Sequence, residues 1–291
     1  MSCTSLLAGD LTAAFKAPLP LPLAKRVLLH TLRGLAHTHK CGVVHTDLKP
    51  DNIFISNIMS PSDIQALIEA DPSRRHEAEA SYDGIVHAAV SQPIPGPAME
   101  DAMTRTYVLG DFASAQPIGN PRTDMITPAS LRPPEIWLGR IWDEKVDIWS
   151  FACVAFELVV GARLFVFEPK TVDNVALDDT EYMLYQMMCL TNEDWKAENL
   201  QVSPNASKWF DLTCMSFLIC LVTFPIYVPG NLKKNPPLYN HNYADIIERY
   251  EVVSCADAES LRDLLKRCLR LDPSDRCSAE ELLSDPWFRY D

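Results

Sequence analysis

The sequence is short of glycine, of basic residues and of patterned cysteine, and each shortage excludes a class of protein. Only 10 of its 291 residues are glycine, and none forms the G-x-G-x-x-G pattern that cradles nucleotide phosphates. Its 26 Lys and Arg face 39 Asp and Glu, so the net charge is −13. This balance argues against non-specific nucleic-acid binding and favours basic partners, although solubility alone explains it equally well.

The nine cysteines are scattered, without a C-x-x-C pair or a cluster with histidine. Their dispersion argues against a zinc site or a disulfide framework and predicts reduced thiols in the cytoplasm or nucleus. The N-terminus has no basic stretch followed by an apolar core, so we expect no signal peptide. The apolar fraction of 47% can fill a core, which argues against global disorder.

One long run without charge spans 212–228 and is interrupted by Pro225. It falls just short of the length that crosses a bilayer, and we expect no membrane span. Polar, turn-forming sequence on both sides could join directly. We therefore interpret 212–229 as a retained, translated intron or an equivalent gene-model error. A real buried helix or strand pair is the alternative.

The most informative stretch is 43–55, which reads Val-Val-His-Thr-Asp-Leu-Lys-Pro-Asp-Asn-Ile-Phe-Ile. Two β-prone runs flank a polar loop that holds Asp47, Lys49 and Asn52. A carboxylate can orient an attacking hydroxyl, an ammonium can neutralise a moving phosphate, and an amide oxygen can hold a metal. The loop resembles the catalytic loop of protein kinases, H-R-D-L-x-x-x-N, with Thr46 in place of the arginine.

A second motif of the same family follows a strand predicted at 106–109. Gly110-Asp111-Phe112-Ala113 is similar to the metal-binding Asp-Phe-Gly of protein kinases, with Ala113 in place of the glycine. Alanine resists the positive φ that glycine accepts freely, so the replacement bears on the mobility of this loop. The carboxylate itself is retained.

Two distant segments resemble a structural pair of the family. The run 131–135, Leu-Arg-Pro-Pro-Glu, resembles the Ala-Pro-Glu that closes the activation segment. The run 272–276 resembles the loop whose arginine pairs with that glutamate. We therefore predict a partly buried ion pair between Glu135 and Arg276, whose disruption would leave one charge stranded.

Helical patterns flank these motifs. Leu28, Leu32, Leu35 and His39 recur on one face of a helix predicted from about 23 to 41, which Gly42 would end. A second helix is predicted to reach about 160. From Ile148 onward its only charged residue is a glutamate, so it should be buried on all sides. By resemblance, Asp147 at its start would accept hydrogen bonds from the catalytic-loop backbone.

The resemblance implies a mainly α fold, the protein kinase C-lobe, over 21–291, with small β-hairpins at the catalytic and metal loops. We expect 1–20 to be an irregular remnant and 57–104, rich in Pro, Ser and Ala, to be an insertion. The family's Gly-rich loop, strand lysine and helix glutamate have no counterpart before His45, so no five-stranded N-lobe is expected. Because positioning dominates kinase catalysis, the chain alone should turn over little ATP.

The pattern His-Thr-Asp-Leu-Lys-Pro-Asp-Asn, the insertion and the run 142–151 together resemble the SR-protein kinases and their fungal relatives. That family phosphorylates Arg-Ser-rich splicing factors, so the resemblance implies basic, Arg-rich protein substrates. Without an arginine before Asp47, activity should not depend on an activation-segment phosphate. Asp178, Asp179 and Glu181 are candidate contacts for a basic substrate, but a solvated, dipole-compensating helix start explains them equally well.

The resemblance also implies roles for single residues. Asp47 would be the catalytic base, and Lys49 would contact the γ-phosphate of ATP. Asn52 and Asp111 would bind Mg²⁺, and Phe54 would floor the adenine pocket. Two functions stay open: a serine/threonine protein kinase polypeptide, truncated in this chain, and a non-catalytic module that binds basic partners. Neither includes direct nucleic-acid or membrane binding.

Overall fold

A computed structural model describes residues 7–56, 60–90, 92, 96–121, 123, 125–212 and 230–289. Its described part is rich in helices and carries only small antiparallel sheets, as the mainly α C-lobe prediction requires. The stretch 213–229 lies outside the described residues, so the intron interpretation stays a prediction. The expectation that no N-lobe is present also remains untested.

The strands are short, and they are β1 Leu7–Asp10, β2 Val43–Val44, β3 Ile53–Ser56, β4 Glu79–Ser81, β5 Gly84–Val86, β6 Tyr107–Leu109, β7 Gln116–Pro117, β8 Lys170–Val172 and β9 Val175–Leu177. The longer helices are α2 Leu21–Lys40, α3 Pro61–Ala70, α6 Lys145–Val160, α7 Asp179–Thr191 and α11 Cys255–Cys268. The short helices are α1 Leu11–Ala14, α4 Met99–Ala102, α5 Pro134–Trp137, α8 Ala197–Gln201, α9 Ala206–Trp209, α10 Tyr243–Glu248 and α12 Ala279–Leu282.

Helix α6 forms the centre of the core. All of its residues after Lys145 are buried except Glu157, which confirms the prediction from its apolar sequence. The helix ends at Gly161, whose φ of 80° favours glycine. Helix α2 packs against α6 through its apolar face and is followed by Gly42 at φ 77°, close to the predicted end.

Two strand pairs bring the two motif loops together. Strand β3 pairs with β6, and β2 pairs with β7, all antiparallel. The catalytic loop connects β2 to β3, and the Asp-Phe loop connects β6 to β7. Because both ends of one loop pair with both ends of the other, the two loops must lie side by side.

Residues 7–20, where the sequence predicts no element, are packed onto the lobe. Strand β1 pairs with β3, and helix α1 follows it directly. Leu11 and Leu19 are buried in the main core, whereas an irregular remnant would leave its side chains exposed. Residues 7–20 are therefore more ordered than the expected irregular remnant.

The predicted insertion leaves the sheet after β3 and returns to it before β6, the neighbouring strand. The backbone N–H of Ser56 donates to the carbonyl of Thr106 at 2.8 Å, so its two ends are neighbours. Between them lie α3, the hairpin β4–β5 and α4, and every residue of the hairpin strands is exposed. In the described part of the chain, no helix combines the length and apolarity that a membrane crossing needs.

Candidate active site

The catalytic-loop side chains form one hydrogen-bonded group. Lys49 Nζ donates to Asp47 Oδ2 at 2.8 Å, and Asn52 Nδ2 donates to the same oxygen at 3.0 Å. Asn52 Nδ2 also donates to the Asp47 carbonyl at 2.8 Å, so the amide nitrogen is committed to Asp47. Asn52 is almost fully buried, whereas about a fifth of the Asp47 side chain and a third of the Lys49 side chain are exposed.

Asp147 supports this loop from below. Its carboxylate accepts the backbone N–H groups of His45 at 2.7 Å and Thr46 at 2.8 Å, as predicted from the resemblance. His39 adds a third contact, with Nε2 at 2.9 Å from Asp147 Oδ2. Since Asp147 is completely buried, these bonds compensate the desolvation of its charge. The sequence pattern assigned His39 to the apolar face of α2 and gave no sign of this polar role.

His45 joins the catalytic loop to the Asp-Phe loop. Its Nε2 lies 2.8 Å from the carbonyl of Gly110, which can only accept, so Nε2 carries the ring proton. The other ring nitrogen accepts the backbone N–H of Asp47 at 3.3 Å. Gly110 N–H in turn donates to the Asn52 carbonyl at 3.0 Å. One imidazole therefore fixes the relative position of both loops.

Asp111 lies at the surface of this junction, with a left-handed backbone at φ 56° that aspartate tolerates better than most residues. The Phe112 and His45 rings pack in an edge-to-face arrangement, with centroids 4.9 Å apart. Ala113 sits inside a 3₁₀ turn and has no positive φ. The replacement of glycine by alanine therefore causes no strain in this conformation.

Phe54 lies in β3, opposite Val108 of β6. Its ring packs against the backbone of Gly110, where a Cβ would come within 2.7 Å of the ring carbons. Glycine at this position lets the ring lie flat against the loop that leads to Asp111. Phe54 is partly exposed.

The electrostatics link Asp111 to the catalytic loop. The hydrogen bond to Asp47 raises the pKa of Lys49, and the charges of Asp47, Asp51 and Asp111 add to this effect. Among the described residues, no three His, Cys, Asp or Glu side chains are grouped to hold a metal alone. Mg²⁺ needs only one or two protein oxygens when phosphates and water supply the others. The sparse oxygen set of Asn52 and Asp111 fits that requirement.

The predicted pairing of Glu135 with Arg276 is present, although it is completely buried and not partly buried as predicted. Both guanidinium Nη atoms donate to the carboxylate, each at 2.7 Å, and both side chains are completely buried. The guanidinium also donates to the Lys145 carbonyl at 3.1 Å and lies 5.1 Å from the Trp149 ring centroid. All of these contacts join the end of the activation segment to the start of α6.

Arg132 lies in the predicted run 131–135, but the sequence predicted no role for it. Its guanidinium donates to the carbonyls of Ile126 at 3.0 Å and Thr127 at 2.9 Å, and it stacks on Trp137. Burial lowers the pKa of Arg132. The position of Arg132 just before the Pro-Pro-Glu run was the only hint of a role in the sequence. Residue spacing alone does not predict its hydrogen-bond partners.

Thr46, which replaces the family's arginine, also contacts the activation segment. Its Oγ1 donates to the carbonyl of Ser114 at 2.7 Å, and its own carbonyl accepts the backbone N–H of Thr127 at 3.0 Å. Thr46 is completely buried. These two hydrogen bonds hold the activation segment against the catalytic loop.

Acidic side chains lie beside the catalytic loop. Asp51 is exposed and accepts a hydrogen bond from Thr12 at 3.1 Å. Burial raises the pKa of Glu157, Arg163 opposes that rise, and the charge of Asp51 adds to it. Asp51 and Glu157 are therefore close enough for their charges to interact, with the positive charge of Arg163 also beside Glu157.

The predicted substrate carboxylates lie at the start of α7, where each has an intramolecular role. Asp178 and Glu181 form a reciprocal capping box with bonds of 2.8 Å in both directions. Glu181 also pairs with Lys234 at 2.6 Å, and Asp179 accepts the backbone N–H of Thr180 at 2.8 Å. The geometry accounts fully for a helix cap, and it leaves substrate binding here a proposal.

Comparison with known proteins adds a family assignment. The protein kinase domain matches residues 5–82 and 98–288, which is most of the chain. The unmatched stretch 83–97 lies within the predicted insertion. Serine/threonine-protein kinase SRPK of Physarum polycephalum is 32% identical over 175 residues, or 55% of this chain and 41% of that protein.

Two further relatives match nearly the whole chain at lower identity. Dual specificity protein kinase lkh1 of Schizosaccharomyces pombe is 25% identical over 93% of this chain and 32% of its own length. Serine/threonine-protein kinase AFC3 of Arabidopsis thaliana is 25% identical over 93% of this chain and 57% of its own length. The chain thus spans less than two thirds of each of these relatives. On the domain match and the motif geometry together, the chain belongs to the protein kinase family, close to the SR-protein kinases.

Proposed function

We propose that the chain is the C-lobe of a serine/threonine kinase that transfers the γ-phosphate of MgATP to basic, Arg-Ser-rich proteins. The observation that carries the proposal is the hydrogen-bonded group of Asp47, Lys49 and Asn52, joined through His45 to the Asp111 loop. Phosphoryl transfer requires these groups to be positioned before the substrate arrives, because positioning and charge account for most of its catalysis.

Each of these residues has a role in the proposed reaction. Asp47 accepts the proton of the substrate hydroxyl as that oxygen attacks phosphorus. Lys49, whose raised pKa keeps it protonated, contacts the γ-phosphate. Asn52 and Asp111 would hold Mg²⁺, which when bound neutralises charge on the phosphate oxygens. The partly exposed Phe54 would contact the adenine ring.

The substrate preference in this proposal rests on charge. The chain carries a net charge of −13, and Asp51 and Glu157 add carboxylates next to the catalytic loop. An arginine side chain beside the phosphorylated serine would be attracted to these carboxylates. The similarity of the chain to a kinase named SRPK supports the proposal.

A second function stays open, namely a non-catalytic module that binds basic partners. It is favoured by the sequence, which contains no Gly-rich phosphate loop. Because that loop and the strand lysine position the phosphates, we propose that the chain alone turns over little ATP. The acidic edge formed by Asp51 and Glu157 would serve either function.

Thermal unfolding with and without nucleotide separates the two functions. If MgATP binds the folded chain, the melting temperature rises, since a ligand at about a hundred times its Kd adds about 2.7 kcal/mol of stability. We expect the rise to need Mg²⁺ and to be lost in Asp111→Ala. Asp83→Ala, in the exposed hairpin turn, is the matched control and should keep the full rise.

The opposite result is equally clear. No rise at millimolar MgATP, combined with a rise on adding an Arg-Ser-repeat peptide, would contradict nucleotide binding and support the module. An MgATP-dependent rise that survives Asp111→Ala would show that nucleotide binds without the proposed metal contact.

A further inference from the structure

Two cysteines meet where the chain returns to the end of α11. Cys268 is the last residue of that helix, and Cys277 follows the loop 269–276. The backbone N–H of Cys277 donates to the carbonyl of Arg267 at 3.1 Å, and the Cys277 thiol lies 3.2 Å from the same oxygen. Covalent geometry then limits the separation of the two cysteine Cα atoms to roughly 7 Å at most.

The Cys268 thiol lowers the pKa of Cys277 and the Cys277 thiol raises that of Cys268, so the two side chains are neighbours. Disulfides bridge Cα atoms about 4.4–6.8 Å apart, so a bond between Cys268 and Cys277 needs little backbone movement. Both are free thiols in this structure.

Their environments differ in a way that suits sequential oxidation. Cys277 is partly exposed, and its pKa is lowered chiefly by the hydrogen bond from Cys268, with the charges of Arg267 and Lys145 assisting. Cys268 is completely buried, and burial raises its pKa far above the usual value. The partly exposed Cys277 thiol is therefore more easily ionised than the buried Cys268 thiol.

We propose that Cys277 and Cys268 form a peroxide-sensitive thiol pair, in which Cys277 is oxidised first and Cys268 then closes a disulfide. The Cys277 thiolate attacks the O–O bond of a hydroperoxide and becomes a sulfenic acid, and the distal oxygen leaves as hydroxide. The Cys268 sulfur then attacks the sulfenic sulfur, its proton is lost, and water leaves. With hydrogen peroxide, two thiols lose two electrons and two waters form.

The loop that this disulfide would close carries the anchor of the activation segment. Arg276, the residue before Cys277, makes the buried bonds to Glu135, and Arg270 in the same loop pairs with Glu193. Oxidation would therefore act on the residues that hold the end of the activation segment. This inference concerns thiol chemistry alone and does not depend on the proposed kinase activity.

Peptide mapping of the full chain tests the pair. The protein is treated with a small excess of hydrogen peroxide, free thiols are blocked by alkylation, and trypsin is added without reductant. We expect the peptide 268–270 linked to the peptide 277–289, lighter by two hydrogens than their sum. Dithiothreitol should separate them, since a disulfide is reversible and a sulfinic acid is not.

Cys268→Ala is the informative variant. Its Cys277 should pass on to irreversible sulfinic acid, because no second thiol captures the sulfenic acid. Cys41 and Cys255 are exposed comparators within the same protein. Recovery of Cys268 and Cys277 as alkylated thiols, at a peroxide dose that oxidises Cys41 or Cys255, would overturn the proposal. This readout uses the unmodified chain and does not require the variant to fold.

Discussion

Three residues around the active site combine ordinary side chains with a left-handed backbone. Thr46, Asp111 and Thr127 have φ values of 66°, 56° and 55°. For a β-branched threonine this conformation is unfavourable by about 1–2 kcal/mol, so surrounding contacts must impose it. The backbone bond between Thr127 and Thr46 and the Thr46 bond to Ser114 are such contacts. Local preference alone would not predict these angles.

The buried ion pair gives the clearest prediction for a single residue. Arg276→Ala should lower the free energy of unfolding by about 3–5 kcal/mol, because Glu135 would keep its buried charge without a partner. Arg74→Ala is the matched control, since Arg74 forms an exposed pair with Asp71 at 3.6 Å. It should change stability by less than about 1 kcal/mol.

Urea denaturation of both variants measures the difference. Equal, small losses would mean that Glu135 becomes solvated when Arg276 is removed, and the burial described above would then be wrong. A large loss in Arg74→Ala would instead point to an unrecognised role for the insertion.

The sequence predicts the neighbours of a residue when they lie in the same short loop or when a family motif specifies them. Asp47, Lys49 and Asn52 fall within one short loop, so their proximity follows from spacing. Glu135 and Arg276 are 141 residues apart, and only the family resemblance predicted their pairing. The contacts of Arg132, His39 and His30 were missed because they depend on which elements become neighbours in three dimensions.

At the level of elements, His30 ties α2 to the strand that leads to Asp111. Its Nδ1 accepts the backbone N–H of Tyr107 at 3.1 Å, which requires a neutral ring. Burial lowers the pKa of His30 from 6.5 to about 4, with help from the positive charges of Arg26 and Arg33. Acid should therefore loosen β6 from the helix.

The sign of this pH effect follows from the two pKa values. Between pH 6.5 and 4 the unfolded chain binds a proton at His30 that the folded chain does not, so stability falls as pH falls. We expect a loss of about 1 kcal/mol, since the side chain is only half-buried and solvent screens it. His30→Asn, which keeps an acceptor but cannot titrate, should lose less stability than the parent over this range.

Melting temperatures at several pH values provide the measurement. The exposed His76, changed to Asn, is the control and should leave the pH dependence unaltered. Parallel curves for the parent and His30→Asn would contradict the assignment of acid sensitivity to His30.

The start of α7 allows capping to be separated from substrate binding. Asp178→Asn keeps a capping acceptor and removes the charge, whereas Asp178→Ala removes both. We expect Ala to cost about 1 kcal/mol of stability and Asn to cost much less. If the charge binds basic substrates, both variants should bind an Arg-Ser peptide more weakly than the parent. Unchanged peptide affinity in Asp178→Asn would leave this carboxylate a cap alone.

Elements were predictable where one pattern dominated. Helix α6 is apolar on all sides and ends at Gly161, so both its burial and its end follow from the sequence. The hairpin β4–β5, whose turn residues are Tyr82 and Asp83, was not predicted, although an Asp-Gly dipeptide is a common hairpin signal. Its strands are fully exposed, and without a buried face they carry no alternating pattern.

For the whole molecule, net charge should govern association with basic peptides. The chain carries −13, so the affinity for an Arg-Ser-repeat peptide should fall several-fold as salt rises from about 50 to 200 mM. The same peptide with citrulline in place of arginine has equal shape without charge and should bind weakly at every salt concentration. Fluorescence anisotropy gives both affinities, and a salt-independent affinity would contradict electrostatic recognition.

The hydrogen bond between Ser56 and Thr106 has a practical consequence for engineering. Because the two ends of the insertion are neighbours at the ends of the paired strands β3 and β6, a guest domain with closely spaced termini could be grafted there. The entropy cost of closing a loop grows only slowly with its length, so the insertion of such a guest should lower the free energy of unfolding only slightly. Strands β3 and β6 lead to the catalytic and Asp-Phe loops. A guest domain that changes shape when it binds a ligand would therefore displace both loops, so this junction is a suitable insertion site for a biosensor.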